Sequence, residues 1–177
     1  MKCVTIIAAF LGLASATPST LDKRSNPKGL DVSGWQGNVN WAAVKKNGAS
    51  FAIVKVPPLS LPIKSSLTST QATEGTTYTS PYFNQQYEGS YNVGLIRGAY
   101  HFAHPSSASG AGAAQAEYFV KHGGGWSADG KTLPGMIDLE AGCSGLSTGQ
   151  MVTFIRDFVN TYHSKTGRYP MIYCTAR

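Results

Sequence analysis

The strongest constraint in this sequence is a repeated alternation of short β-rich runs with helical stretches. Residues 29–32 read as a strand. Asn40 is placed to cap a helix over 41–47, and Gly48 to end it. Residues 51–54 form an apolar, β-rich run. Ser80-Pro81 opens a second helix, because proline suits a first helical turn. Residues 95–102 and 136–139 read as strands, with a helix over 111–121 between them that Gly123-Gly124-Gly125 stops. Ser147 and Gln150 form a capping box. Met151, Phe154, Ile155, Phe158 and Tyr162 then recur at helical spacing until Gly167. A last strand covers 169–173. Five such alternations predict an α/β fold of parallel strands joined by crossover helices. A doubly wound sheet and a barrel both satisfy the pattern. A complete eight-stranded barrel takes about 250 residues, and this chain has 177.

The two ends of that pattern carry their own signals. Lys2, the apolar run 4–13 and Ala14-Ser15-Ala16 predict a signal peptide over 1–16. The run is too short to span a bilayer. Lys23-Arg24 marks the end of a short pro-segment over 17–24, leaving one domain over 25–177. A secreted, extracellular monomer is expected, with no membrane span. Secretion makes disulfides available, and with Cys3 removed, Cys143 and Cys174 could form one. The net charge of +6 favours anionic surfaces such as bacterial walls. Nucleic acid is not expected, since the cations are scattered and no recognised module appears.

The clearest chemical motif is Pro134-Gly135-Met136-Ile137-Asp138-Leu139-Glu140. Residues two apart on a strand share a face, so Asp138 and Glu140 point together from the carboxyl end of an apolar strand. That end binds ligands in parallel α/β folds. Glycoside hydrolysis needs such a pair: one carboxyl protonates the leaving oxygen and the other supports the oxocarbenium-like centre, attacks it, or activates water. Close like charges also raise one pKa, which keeps a proton available. Asp31, ending the first strand, is a third acid for the same face. Trp35, Tyr100 and Tyr173 lie near strand ends, where rings can stack on sugars or pack a core. His101 and His104 lack a third ligand at metal spacing, so His101 is read as lining a sugar site. Residues 125–132 formally match a phosphate-binding loop, but a helix precedes them and a strand follows, the reverse of what that loop needs.

On these residues the sequence resembles the fungal branch of glycoside hydrolase family 25, the Chalaropsis-type lysozymes. The resemblance runs in order through GLDVSGWQGNVNWAAVKKNGASFAIVK, ATEGTTYTSPYFNQQY, GLIRGAYHFAHP, GGGWSADGKTLPGMIDLE and FVNTYHSKTGRYPMIYCT. It implies a TIM-like (β/α)5β3 barrel, here incomplete, with five β/α units and the last three strands missing. It implies hydrolysis of the β-1,4 link between N-acetylmuramic acid and N-acetylglucosamine in bacterial peptidoglycan, without metal or organic cofactor. By resemblance Glu140 matches the general acid, Asp138 its acidic partner and Asp31 the first-strand acid. Tyr100, His101, Tyr173 and Glu74 fall among the substrate-side positions. The missing strands carry a further site acid, aromatic wall residues and the usual disulfide partner of Cys143.

Residues 56–71 interrupt the resemblance and read as an insertion. Removing them joins FAIVK directly to ATEGTTY. Valine codons begin with GT and CAG encodes glutamine, so the borders Val56 and Gln71 suit an unspliced intron, which the transcript sequence tests. Three functions compete at this stage. The first is a peptidoglycan lysozyme. The second is a non-catalytic wall or carbohydrate binder, inactive because the barrel is incomplete. The third is a chitinase, which the short D-L-E run disfavours against the longer D-x-x-D-x-D-x-E pattern.

Overall fold

The computed structural model describes residues 26–56, 82–142 and 144–175. The signal peptide and pro-segment, nearly all of the 56–71 insertion, Glu74, Ser80-Pro81 and Cys143 lie outside the described residues, so the Cys143–Cys174 pairing does too.

The elements run β1 (Lys28–Val32), α1 (Trp41–Lys46), β2 (Ala49–Lys55), α2 (Phe83–Asn92), β3 (Ile96–Phe102), α3 (Ala111–Phe119), β4 (Met136–Leu139), α4 (Thr148–Thr166) and β5 (Met171–Cys174). Local chemistry sets their ends. The Asn40 side chain accepts from Ala43 N–H at the start of α1. Ser147 and Gln150 close a capping box on α4, and Gly167 ends it in the left-handed region at φ 70°. No helix among the described residues is long and apolar enough to cross a membrane.

The strand order decides between the two predicted architectures. All four pairings are parallel, and the order is β1-β2-β3-β4-β5. A doubly wound sheet reverses direction partway across. Unbroken sequential order, with right-handed crossovers, puts every helix on one side of the sheet. The result is a curled five-stranded half-barrel.

The core fills the space between the sheet and its helices. Ala52, Val54, Ala99 and Ile137 from the strands meet Trp41, Phe119, Phe154, Phe158 and Tyr162 from the helices. Where the arc stops, burial stops: Ile172 on the helix side of β5 is 53% exposed, and Cys174 beside it is also exposed.

One departure from the sequence pattern fixes β4. The helix expected to reach residue 121 ends at Phe119 and widens into the turn Val120–Gly124. Gly123 takes φ 108°, which favours glycine. A Cβ on Gly124 would lie 2.3 Å from the Phe119 ring, and one on Gly135 would lie 2.4 Å from it. Two glycines therefore let this ring seat against the backbone on either side of β4's entry. Tyr162 closes the knot, its hydroxyl donating to Gly124 O at 2.9 Å and accepting from Gly135 N–H at 2.6 Å. Gly135 O in turn accepts from Met171 N–H at 2.8 Å, which carries the anchor to β5.

Tyr162→Phe strands both buried backbone groups with little change in volume. Leaving buried polar groups unpaired costs about 1–3 kcal/mol. Urea unfolding should show a loss in that range, and an unchanged midpoint would contradict the knot's role.

Candidate active site

Partners in a parallel row point to the same side of the sheet. Register therefore sorts the strand residues into a helix-covered face and a bare face. On the bare face, Asp31 is in register with Ile53, Lys55 with Tyr100, and Asp138 with both Phe102 and Tyr173. Glu140 follows β4 with the same parity as Asp138. Asp31, Asp138 and Glu140 thus stand at strand carboxyl ends, where the sequence placed them.

Tyr100 ties the three acids together. It is 9% exposed, and burial pushes its phenol pKa up. The negative charges of Asp31, Asp138 and Glu140 push it further the same way. One phenol that senses all three carboxylates marks them as one cluster. The ring stays neutral and can donate or accept a hydrogen bond.

The acids differ in surroundings. Asp31 and Glu140 are exposed, whereas Asp138 is 5% exposed and its Oδ1 has no hydrogen-bond partner among the described residues. Burial raises the Asp138 pKa to about 6, helped by the Glu140 charge, opposed by Lys55, and helped again by Asp31. Of the three acids, Asp138 is the one whose surroundings favour holding a proton.

Lys55 is the site residue that sequence reasoning passed over. Its ammonium sits 4.6 Å from the Phe102 ring centroid and is the cation that tempers Asp138. Strand alternation carried the clue, since Lys55 follows Phe51 and Ile53 at period two. Tyr173 is 47% exposed on the bare face. Trp35, at 94% exposed, stands on a single 3-10 turn, Gly34–Gln36, just after β1. That turn is held firmly. Ser33 and Gln36 form a capping box, and buried Gln86 donates to Ser33 O at 2.7 Å and to Gly37 O at 2.8 Å.

His101 does not face the sugar side. It is 2% exposed on the helix-covered face, with Phe119 and Phe158 against its ring. The Gln115 amide donates to His104 O, so its oxygen accepts from His101 Nε2 at 2.9 Å. Burial lowers the His101 pKa to about 4, so the ring is neutral. Tyr100 and His101 are adjacent and must point oppositely; only one of them can reach a ligand on the bare face. The 125–132 match to a phosphate loop also dissolves. Asp129 accepts from Lys131 N–H and from the Thr132 hydroxyl, an acid-centred turn leading into a strand.

The chain is similar to proteins of one known family. The model of the family described as Glycosyl hydrolases family 25 matches residues 63–177. An N,O-diacetylmuramidase of Chalaropsis sp is 47% identical over 82% of this chain and 64% of its own length. Another, from Arthroderma benhamiae, is 45% identical over 94% of this chain and 66% of its own. The solved structure of a muramidase from Trichobolus zukalii is 50% identical, with a TM-score of 0.69 over 82% of this chain and 63% of that one. The chain spans about half to two thirds of the length of the curated relatives it matches.

The raised Asp138 pKa has a signed consequence for stability. A folded-state pKa of about 6 against 3.8 means the native state binds the extra proton between those values. Asp138 therefore costs no stability below pH 4, and its cost grows as pH rises through about 6. Asp138→Asn should match wild type in thermal midpoint near pH 3.5 and exceed it near pH 7.5. An offset that does not change with pH would contradict the assignment.

Proposed function

The chain belongs to glycosyl hydrolases family 25, and from that premise we propose that it is a muramidase acting on bacterial peptidoglycan. The bond cleaved is the β-1,4 link between N-acetylmuramic acid and N-acetylglucosamine. The observation that carries this reading is the acid cluster around Tyr100, with one buried carboxyl and one exposed carboxyl from a single strand end.

Exposure separates the roles. Glu140 is the exposed member, so it is the one that can touch a glycosidic oxygen, and it acts as the general acid. Asp138 is its partner: once ionised, it supports positive charge developing at the anomeric carbon or orients the substrate's acetamido group. Asp31 positions substrate or water from β1. Tyr100 donates a neutral hydrogen bond, and Tyr173 and Trp35 offer ring faces to sugars. Glu74 remains a proposed substrate-side residue by resemblance. Lys55 keeps the ionised Asp138 from being prohibitively unfavourable. Secretion fits the predicted leader and is proposed with the function.

The partner role needs Asp138 ionised, so activity falls as pH drops through about 6.

A second reading has one observation in its favour. Among the described residues, β1 and β5 each have a single neighbour in the sheet. A half-barrel of this kind could bind wall glycan without cutting it. Clearing of bacterial wall suspensions separates the two. Glu140→Gln should lower the lytic rate by about 10²–10⁴-fold while wall binding in a sedimentation assay is retained. If wild type and Glu140→Gln bind equally and neither lyses, the binding reading replaces the catalytic one.

A further inference from the structure

Charge is segregated along the barrel axis. In a β/α unit the strand starts and the helix ends lie together, at the end opposite the strand carboxyl termini. Lys28 opens β1, Arg97 lies near the start of β3, and Lys131 precedes β4. Lys45 and Lys46 end α1, and the Lys45 ammonium reaches Gly94 O at 3.2 Å, just before β3. Arg168 lies between α4 and β5. The catalytic end carries Asp31, Asp138 and Glu140, with Lys55 as the cation among them.

Two acids share the cationic end with these residues. Glu117 pairs with Lys165 at 3.0 Å. Asp129 accepts from Lys131 N–H at 2.8 Å and from the Thr132 hydroxyl at 2.8 Å. Aromatic rings hold several of the cations in place. The Arg97 guanidinium lies 4.1 Å from the Tyr87 ring centroid and 4.4 Å from that of Tyr91. Lys131 sits 4.8 Å from the Tyr91 ring, and Arg168 lies 4.2 Å from that of Trp126. The rings hold these cations in defined positions, and Arg97 also donates to Tyr87 O at 3.4 Å. Favourable contact with the α1 dipole explains Lys45 and Lys46, but not Lys28, Arg97 or Lys131, which lie on strands or on the loop before β4.

We propose that this end docks on a polyanion of the bacterial wall, a phosphodiester-linked polymer attached to the glycan. The proposal rests on the wall-hydrolase reading for its choice of polyanion. The charge pattern supplies the orientation. Phosphodiesters are repelled from the carboxylate end and attracted to the opposite one, so the tether leaves the cleft free for the sugar chain. Regularly spaced phosphates also fit a spread of cations better than one deep pocket does, because each contact releases counterions independently.

The test measures binding, not lysis. The full chain carrying Glu140→Gln is sedimented with Gram-positive walls before and after acid removal of their phosphodiester polymer, across a salt series. Binding to untreated walls should fall steeply with salt, and stripped walls should bind roughly tenfold less at low salt. Adding Lys28→Gln, Lys46→Gln and Lys131→Gln should reproduce that loss on untreated walls and flatten the salt dependence. A single Lys46→Gln should weaken binding more than Arg156→Gln, an equal charge change on the flank of α4. Equal binding to stripped and untreated walls, or an unaffected triple variant, would overturn the proposal. So would binding that follows phosphatidylglycerol vesicles and not the wall polymer. Lysis of soluble glycan fragments by the triple variant on a Glu140 background stays at the wild-type rate. Loss of wall docking therefore reads separately from failure of the catalytic reading.

Discussion

Everything functional here depends on a sheet with one covered face and one bare face. Sequential parallel order puts all helices on one side. The two-residue period of a strand then assigns each side chain to packing or to chemistry, with no intermediate option. Tyr100 and His101 show the rule most plainly. One residue apart, they belong to different environments: a phenol among three carboxylates, and a neutral imidazole against two phenyl rings.

The bare face sets the electrostatics of the acids. Asp138 is buried beside the exposed Glu140, and burial, not mutual repulsion, is the larger cause of its raised pKa. A carboxyl in that position is unfavourable for folding at neutral pH, so β4 must be held by other contacts. The Phe119–Tyr162 knot around Gly124 and Gly135 provides them at the strand's entry. Packing at the entry of the strand thus offsets an electrostatic cost at its exit.

Much of this was legible in the residues. The capping box of Ser147 and Gln150, the Asn40 cap and the apolar runs are local signals, and local signals survive folding. The Asp138–Glu140 pair was legible because strand parity alone brings the two carboxyls together. His101 was misplaced because its neighbour Tyr100 and the sugar-side resemblance drew it along, although parity forbids both from sharing a face. Lys55 was missed because the strand was read as ending at residue 54, one short of it. The wide turn after Phe119 depends on rings and glycines distant in sequence, which no local period encodes. The cationic end was read as scattered charge for the same reason: Lys28, Arg97 and Lys131 are far apart in the chain and meet only through topology.

The central claim is that a buried Asp138 and an exposed Glu140 share one inward-facing site. Carbon-13 NMR titration of the Asp138 carboxyl tests it directly, in wild type and in Glu140→Gln. The account predicts an apparent pKa near 6 in wild type, lower when the Glu140 charge is removed but still above the ordinary aspartate range, because burial is the larger cause. A carboxyl that titrates near 4 in both proteins would show that Asp138 is neither buried nor coupled to Glu140, and would contradict the account.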